Sequence, residues 1–412
     1  MGRKVVLAGR DNLSIACLDA LLKNDVEELD VTVVPARMKQ RDPTQKNLRN
    51  WARDLKVSIF DGDINDLPFD PDIIFSVLYD RRFDQKTLEK SECINLHTSP
   101  LPRYGGFNQF YWAIRNGDER YGVTLHKMEL EFDTGDIIAQ RMFKIHHSET
   151  ARHLYEKAHQ EAAEMFRAAL PSILAGNYKT TPQDLSQRTF NPKNAVDFSK
   201  PISLDDVAKR VYDNIRASIF PPFPNPFVVI DGKEYRVVAA RISKQNVRSA
   251  NFISEDEVRV PTKEGSLILD LETDRPIIYS EREPSLEQFK KIRQISGWGI
   301  EERGVSDERV IESLNSSPYC VSAWKGEKLI GVCRLSGDNG MYGYIQDVMV
   351  LPGYQRKGIA SKMIKRLLEK VRDKKGYLLG VCPSRTTAGL YERVGFKKRP
   401  ENPNGFMFKE IK

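Results

Sequence analysis

An asparagine and a histidine stand two residues apart at Asn95 and His97, where the apolar run "CINLH" gives way to the loop "SPLPRYGG". Alternate residues of a strand point to the same side. Both side chains should therefore face the crevice beyond the carboxyl end of this strand, where open α/β sheets bind ligands. A later turn, "DTGD", adds a carboxylate at Asp133.

These three groups suit acyl transfer to an amine. The amide can donate to a developing oxyanion, the imidazole can donate to it or move a proton, and the carboxylate can orient the imidazole. Because the motif contains no serine or cysteine nucleophile, direct attack by an acceptor amine is more natural than a covalent enzyme intermediate. The alternative is structural, with Asn95 as a turn cap and His97 as a hydrogen-bonded core residue. For His126, in "VTLHKM", we expect the structural role.

The surrounding elements predict how these residues are positioned. The runs "KVVLAG", "LDVTVVPA", "DIIFSVLY" and "CINLH" read as strands, and "LSIACLDALLKN" and the amphipathic stretch "TARHLYEKAHQEAAEMFRAALPSIL" as helices. Strands that alternate with helices predict an α/β fold with a Rossmann-like, doubly wound and largely parallel sheet.

The pattern changes twice along the chain, which predicts three domains: 1–190, 191–277 and 278–412. In the second, one helix precedes short strands such as "EYRVVAARI" and "SLILDLET", as in a small β-barrel or OB-like module. The third mixes helices with the strands "YCVSAWKG", "KLIGVCRLSG" and "YGYIQDVMV", and we expect an α+β domain there.

Composition narrows the class of protein. The 412 residues are 40% hydrophobic and 29% charged, with a net charge of +7 and no basic block, which permits an anionic ligand without requiring nucleic acid. No apolar run reaches membrane-spanning length, and the first residues lack a secretory pattern. Five scattered cysteines without a C-x-x-C pair predict reduced thiols in a cytoplasmic protein, and no metal-ligand array is evident.

The segment "INLHTSPLPRYGGFNQFYWAIRNGDERYGVTLHKMELEFDTGDIIAQ" resembles the N10-formyltetrahydrofolate-dependent formyltransferase family. The shared features are the strand-end N-x-H, the proline- and glycine-containing loop, the N-G-D-x-x-x-G-V-T segment and the D-x-G-D turn. The resemblance covers roughly residues 3–275. It implies that Asn95, His97 and Asp133 are catalytic and that a neutral amine attacks the formyl carbon. Gly105 departs from the arginine usual in the family, which affects the acceptor side.

The resemblance also implies binding residues. Folate is expected to contact the strand before N-x-H, its loop and the D-x-G-D turn, at Val77, Leu78, Tyr79 and Asp136. Acceptor contacts are expected just after the glycines, at Asn108, Gln109 and Trp112. For the aromatic residues of "FNQFYW", burial at helical spacing is the simpler alternative.

The acceptor is less sharply indicated. The stretch "IRASIFPPFPNPFVVIDGKEY" is most similar to sugar N-formyltransferases that act on nucleotide-linked amino sugars, although its prolines can also simply stiffen a connection. Methionyl-tRNA is the second candidate, against which the evenly spread charge argues. A free amino acid or peptide amine is the third. The resemblance is compatible with a homodimer.

A second motif lies in "DVMVLPGYQRKGIASKMIKRLL", where a basic loop with a glycine joins a strand to a helix. Backbone N–H groups at a helix N-terminus form an anion site. The motif resembles the Q/R-x-x-G-x-G/A loop of GCN5-related N-acetyltransferases (GNAT), which binds the pyrophosphate of coenzyme A. The matching positions are Gln355, Arg356, Lys357, Gly358, Ile359 and Ala360.

The same resemblance implies further residues. The main chain of Val348, Met349 and Val350 should pair with the pantetheine arm. Tyr391, in "GLYERVGF", matches a tyrosine that protonates the departing thiolate, with a core aromatic as the alternative. Asp347 can be a base or a turn cap. Taken together, the sequence predicts a bifunctional acyltransferase using N10-formyltetrahydrofolate and acetyl-CoA, or a formyltransferase with an idle, ligand-binding GNAT domain.

Overall fold

The computed structural model describes residues 2–37, 42, 44–299, 304–338, 340–383, 387–399 and 402–411, with the side chains at 399 and 402–405 left out. The α-helices of this part are α1 (Asp11–Leu22), α2 (Leu48–Asp54), α3 (Gln85–Lys90), α4 (Gln109–Arg115), α5 (Ala151–Leu174), α6 (Ala208–Ser218), α7 (Leu286–Ile295), α8 (Asp307–Asn315), α9 (Ile359–Lys370) and α10 (Ala388–Glu392).

The strands fall into four sheets. Those up to residue 191 are β1 (Arg3–Gly9), β2 (Leu29–Pro35), β3 (Ser58–Ile59), β4 (Ile73–Val77), β5 (Glu92–His97), β6 (Gly105–Gly106), β7 (Arg120–Lys127), β8 (Ile137–Lys144) and β9 (Phe190–Asn191). Those that follow are β10 (Phe227–Ile230), β11 (Lys233–Ile242), β12 (Asn251–Ser254), β13 (Glu257–Pro261), β14 (Ser266–Leu271), β15 (Ile277–Ser280), β16 (Tyr319–Lys325), β17 (Lys328–Gly337), β18 (Tyr342–Val350), β19 (Leu378–Val381), β20 (Lys397–Arg399) and β21 (Asn402–Glu410).

The chain divides into two compact units. Unit 1 comprises Met1–Ala113, Asp118–Ile145 and His153–Asp197, and unit 2 comprises Ile114–Gly117, His146–Arg152 and Phe198–Lys412. The three predicted domains, with boundaries at 190/191 and 277/278, stay a prediction.

Unit 1 is built on a seven-stranded sheet of order β3-β2-β1-β4-β5-β7-β8. The first five strands in that order are parallel, and β7 and β8 extend the sheet in antiparallel fashion. The apolar runs of the central strands β1 and β4 are buried, as is typical of parallel strands covered on both faces. The order reverses between β1 and β4, and this switch point opens a crevice beyond their carboxyl ends. The predicted α/β, doubly wound fold is confirmed.

Unit 2 contains two further sheets. The predicted small β module is a five-stranded antiparallel sheet of order β10-β11-β14-β13-β12, and α6 packs on it. The strand β12 was not predicted from the sequence, because its residues "NFIS" are all exposed at the edge of the sheet. The α+β part is a seven-stranded sheet of order β15-β16-β17-β18-β19-β21-β20.

The small sheet and the α+β part of unit 2 share one hydrophobic core. Val238 and Ala239 of β11 belong to the same buried cluster as Phe289 of α7, Met349 of β18 and Met363 of α9. Beside them, a Cβ placed on Gly353 would lie 2.7 Å from Cα of Val238. Only a glycine allows this close approach between the segment after β18 and β11.

Candidate functional site

Asn95 of β5 and His126 of β7 lie opposite each other on neighbouring strands at the edge of the crevice. The antiparallel register of β5 and β7 pairs these two residues. Nδ2 of Asn95 is 3.1 Å from Nε2 of His126, and Nδ1 of His126 is 2.7 Å from the carbonyl oxygen of Lys127. His126 is only 2% exposed. A residue expected to be structural therefore contacts a predicted oxyanion donor directly.

His97 and Asp133 form the second half of this cluster. Nδ1 of His97 is 3.5 Å from Oδ1 of Asp133, and that oxygen is 3.9 Å from Nε2 of His126. The backbone N–H of Gly106 donates to Oδ2 of Asp133 at 3.2 Å. Asp133 has a left-handed backbone with φ of 61°, which aspartate tolerates better than most residues. The structure thus brings the three predicted catalytic residues together.

The charge states of the cluster follow from burial and neighbours. Burial opposes ionisation of Asp133, but the charge of His97 and the Gly106 N–H outweigh it and lower the pKa of that carboxyl below its ordinary value. Burial, aided by the nearby charge of His97, lowers the pKa of His126 to about 4. At neutral pH the cluster therefore holds an ionised Asp133 and a neutral His126.

The predicted folate residues of β4 lie at the topological switch point. The carbonyl of Val77 accepts a hydrogen bond from Oγ of Ser14 at 2.8 Å, which ties the end of β4 to α1. Leu78 then turns in a left-handed conformation with φ of 56°, and the ring of Tyr79 meets that of Phe83 edge-on with 6.0 Å between centroids. The main chain therefore leaves the sheet at Leu78, beside the strand that carries Asn95.

The remaining predicted binding residues of unit 1 have local contacts. Oδ2 of Asp136 accepts from Oγ1 of Thr180 at 3.0 Å. Asn108 turns the chain into α4 with φ of 56°, and Nε2 of Gln109 donates to Oγ1 of Thr98 at 3.0 Å. These contacts fix the loop after β5. The half-buried Trp112 packs edge-on against its neighbour Tyr111, with 5.2 Å between ring centroids.

The segment 188–191, which the sequence did not predict as part of the site, pairs with the glycine loop at 105–107. Gly105 and Phe107 donate their backbone N–H groups to this segment at 2.9 Å and 2.8 Å, and β6 pairs with β9 in parallel. The ring of Phe190, 45% exposed, lies beneath the guanidinium of Arg188 at 5.6 Å. The sequence "SQRTFNP" has no motif or periodicity, so only the tertiary pairing identifies this segment.

This segment also lies against the two glycines at 105 and 106. A Cβ added at Gly105 would lie 3.4 Å from the ring of Phe190 and 3.5 Å from Oδ2 of Asp133. Both distances are ordinary van der Waals contacts, so a small side chain would fit there between the aromatic ring and the carboxylate. At Gly106, with φ of 84°, a Cβ would meet the carbonyl oxygen of Asn191 at 2.4 Å, so glycine is required.

In unit 2, the predicted coenzyme strand has an open edge. β18 pairs with β19 only from Tyr342 to Tyr344, while its other edge pairs with β17 as far as Val350. In the described part of the chain, no ladder continues on the β19 side from 345 to 350. The main chain of Val348, Met349 and Val350 therefore borders a gap between two diverging strands.

The start of α9 has the features expected of a phosphate loop. Gly358 precedes the helix with φ of 78°, and a Cβ placed on it would meet nothing within 4 Å. The loop is exposed at Arg356, Lys357 and Gly358, whereas Ile359 is buried and Ala360 half-buried. The first N–H groups of a helix lack intrahelical partners. This open, basic end of a helix fits a diphosphate.

Two side chains fix the position of this loop. Nε2 of Gln355 donates to the carbonyl of Val350 at 3.0 Å, which ties the loop to the end of β18. Nζ of Lys357 is 3.3 Å from Oε1 of Glu272. One of the two predicted basic residues is thus paired with a carboxylate that follows β14.

Tyr391 and Asp347 differ in their chemical state. Tyr391 is 5% exposed, and burial raises the pKa of its phenol, which remains protonated at neutral pH and can donate. The carboxylate of Asp347 is held by two guanidiniums: Oδ2 accepts from Nε of Arg334 at 2.8 Å, and Oδ1 from Arg293. Ion pairing therefore describes Asp347 better than either a base or a turn cap.

A cavity of about 390 Å³ in unit 2 is separate from the phosphate loop. Its lining includes Lys291 and Lys328, whose ammonium groups lie 2.8 Å and 3.4 Å from the fully buried carboxylate of Asp270. These charges pair with one another and hold the small sheet against the α+β part. Within the described residues, no three His, Cys, Asp or Glu side chains are placed to hold a metal ion, and no helix is long and apolar enough to cross a membrane.

Two family models match the chain, the Formyl transferase model over residues 61–170 and the Acetyltransferase (GNAT) family model over residues 279–396. The methionyl-tRNA formyltransferase of Latilactobacillus sakei subsp. sakei (strain 23K) is 27% identical over 258 residues, which cover 60% of this chain and 80% of that protein. The methionyl-tRNA formyltransferase of Streptococcus equi subsp. zooepidemicus (strain H70) is 25% identical over 287 residues, 65% of this chain and 90% of that protein.

Among solved structures, an N-formyltransferase from Helicobacter canadensis, in complex with folinic acid and dTDP-3-aminofucose, superposes with a TM-score of 0.59. It is 23% identical, and the match covers 66% of this chain and all of that chain, which shows a shared fold. The resemblance of the sequence to two families is confirmed. The chain therefore joins a formyl transferase domain to a GNAT acetyltransferase domain.

Proposed function

We propose that unit 1 transfers the formyl group of N10-formyltetrahydrofolate to the amine of a nucleotide-linked amino sugar, and that the GNAT domain acetylates an amine from acetyl-CoA. The observation that carries the first part is the convergence of Asn95, His97 and Asp133 at the carboxyl end of β5. An amide donor, an imidazole and an ionised carboxylate within one cluster match the needs of acyl transfer to an amine.

Each of the three residues has a separate role in the proposed formyl transfer. N10-formyltetrahydrofolate supplies the formyl carbon when bound. Asn95 and His97 donate to the formyl oxygen as negative charge develops there, and one such donor is worth ~2.7–4 kcal/mol of the barrier. Asp133 orients His97 through Nδ1 and accepts, directly or through water, the proton that the attacking amine loses. The same proton would pass to N10 as the bond between N10 and the formyl carbon breaks, so that tetrahydrofolate leaves. These residues fit the formyl donor, because Asn95 and His97 can donate hydrogen bonds to its formyl oxygen and Asp133 can accept one proton.

The surroundings of Asp133 support a nucleotide-linked acceptor. Three exposed phenylalanines belong to the segments around Asp133: Phe107 follows the glycines, Phe132 precedes Asp133, and Phe190 pairs with Gly105. Exposed rings offer stacking surfaces to a planar base, worth ~1–3 kcal/mol per base. Arg188 lies over the ring of Phe190, donates to the carbonyl of Phe132 at 3.1 Å and pairs with Glu131, so a diphosphate bound here would compete with that carboxylate for the guanidinium.

Methionyl-tRNA is the second candidate acceptor. The specific observation in its favour is the match, at 25–27% identity, to methionyl-tRNA formyltransferases over 80–90% of their lengths. Both candidates use the same formyl chemistry at Asn95, His97 and Asp133. They differ in the part of the acceptor that carries the reacting amine, which is a nucleotide-linked sugar in one case and an aminoacylated tRNA in the other.

A direct comparison of acceptors tests the proposal. The full chain is incubated with N10-formyltetrahydrofolate and, separately, with dTDP- and UDP-linked amino sugars, methionyl-tRNA and free methionine, and products are detected by mass. A formylated amino sugar, absent with the Asn95→Ala variant, supports the proposal. Formylation of methionyl-tRNA alone would replace the acceptor, and no formylated product with any acceptor would overturn the proposed reaction.

For the GNAT domain, the supporting features are the open edge of β18, the loop before α9 and the protonated Tyr391. Acetyl-CoA supplies an activated acetyl group when bound, and Tyr391 can give its phenolic proton to the leaving sulfur. Coenzyme at 100 times its Kd should raise the free energy of unfolding by about 2.7 kcal/mol. The absence of any thermal shift with acetyl-CoA would leave an idle domain as the better account.

A further inference from the structure

We propose that His126 is a positioning residue for formyl transfer, which holds the amide of Asn95 in the orientation that presents an N–H group to the formyl oxygen. The inference rests on the proposed function of unit 1. It adds a residue that sequence reasoning placed in the core and that the mechanism above does not use.

The tautomer of His126 follows from its contacts. Nδ1 is 2.7 Å from the carbonyl oxygen of Lys127, and a carbonyl oxygen can only accept, so Nδ1 carries the proton. The side chain is 2% exposed and neutral at physiological pH. Its Nε2 is therefore an acceptor with a free lone pair, and not a donor.

This acceptor fixes the amide of Asn95. The atom 3.1 Å from Nε2 of His126 must be Nδ2, because an amide oxygen there would place two acceptors against each other. One N–H of Nδ2 is used in this contact, and the second remains for another acceptor. A half-turn of the amide would point its oxygen at that acceptor, so the imidazole selects the orientation in which Asn95 can stabilise negative charge.

The alternative role, a proton relay between His126 and Asp133, is less favoured by the distances. Nε2 of His126 is 3.9 Å from Oδ1 of Asp133, longer than its contact with Asn95 and longer than the 3.5 Å between His97 and the same oxygen. A neutral His126 also has no proton on Nε2 to give to the carboxylate. His97 is therefore the partner of Asp133, and His126 is the partner of Asn95.

A double-mutant cycle tests this pairing, because residues that act through one another have non-additive effects. His126→Leu removes the acceptor at similar volume, and His126→Gln keeps a carbonyl that can accept from Asn95. Each is measured alone and in the Asn95→Ala background, with N10-formyltetrahydrofolate and a dTDP-linked amino sugar. His159→Gln, in α5 of the same unit, is the control. Circular dichroism and folinic acid binding confirm that each variant is folded.

If His126 acts through Asn95, His126→Leu lowers kcat by at least tenfold, up to the ~10²–10³-fold loss expected for removing one oxyanion donor. KM for the formyl donor stays nearly constant, His126→Gln recovers part of kcat, and neither variant lowers kcat further once Asn95 is alanine. The proposal would be overturned if the losses of kcat from the two single substitutions multiplied in the double variants. An unchanged kcat in folded His126→Leu would also overturn it.

A second measurement does not depend on turnover. The ¹⁵N chemical shifts of histidine-labelled protein show which ring nitrogen carries the proton. A protonated Nδ1 and a bare Nε2 at His126 are expected, and the opposite tautomer would end the proposal even in an active enzyme. If wild-type protein formylates no acceptor, the proposed function is wrong. The tautomer measurement then still tests whether His126 accepts a hydrogen bond from Asn95.

Discussion

Gly358 offers the sharpest test of the coenzyme loop, through the paired substitutions Gly358→Gln and Gly358→Glu. A Cβ at this position meets nothing within 4 Å, so either side chain can be accommodated. With φ of 78°, both variants share the same left-handed strain of about 1–2 kcal/mol. They differ only in charge, and the difference between them isolates the electrostatic effect.

The size of that difference can be worked out from the position of Gly358 directly before α9. A diphosphate bound at the helix N-terminus would lie ~5 Å from a carboxylate on this residue. At an effective dielectric constant of ~20, two like charges at that distance repel by about 3 kcal/mol. Gly358→Glu should therefore bind acetyl-CoA about 10²-fold more weakly than Gly358→Gln.

Calorimetric titration of both variants and the wild type with acetyl-CoA measures this ratio. Without the coenzyme, Gly358→Glu should be more stable than Gly358→Gln, because a negative charge at a helix N-terminus adds ~0.3–1 kcal/mol to the free energy of unfolding. Equal affinity of the Glu and Gln variants would refute the placement of the diphosphate at α9. A Gly358→Glu variant that binds acetyl-CoA like the wild type would also show that this loop does not bind the coenzyme.

Three further predictions concern His97, His126 and Asp270. His97→Asn should lower formyl transfer by at least ~10²-fold while leaving the acetyl-CoA thermal shift intact; near wild-type formylation would remove its assigned role. The pKa of His126 is about 4 against an ordinary 6.5, so the unfolded chain binds more protons between these values. Stability should fall by up to about 3 kcal/mol as pH drops from 6.5 to 4, and urea unfolding of His126→Gln should show less of this loss; identical pH profiles would contradict it. Asp270→Asn should cost ~3–5 kcal/mol in denaturant unfolding, because Lys291, Lys328 and Arg241 would lose a buried carboxylate partner. The exposed Asp274→Asn should change little, and equal effects of the two substitutions would argue against this charge network.

Local patterns were sufficient to predict the main strands and the residues at their ends. The apolar runs that became β1 and β4 are continuous, as expected for strands buried on both faces. The spacing of Asn95 and His97 at a strand end placed them on one side without any tertiary information. The same holds for Gly358, whose position between a strand and a helix is a local feature.

The remaining parts of the site depend on pairings between distant segments. His126 meets Asn95 because β7 joins β5 in antiparallel register, which no local pattern specifies. Phe190 reaches Gly105 through a two-residue parallel pair with no sequence signal of its own. Asp347 is held by guanidiniums from α7 and β17, so its ion-paired state could not be separated from a base or a cap in the sequence.

The buried cluster that contains Val238 and Ala239 limits how the GNAT domain can be exchanged between proteins. A gene fragment that began at residue 278 would encode a domain without the core residues that β11 contributes. The apolar surface exposed by their loss would promote aggregation. A transferable fragment that contains the GNAT domain of this chain would have to include β11. The same continuity means that coenzyme binding at α9 should protect β11 from proteolysis, although the two lie more than a hundred residues apart in the chain.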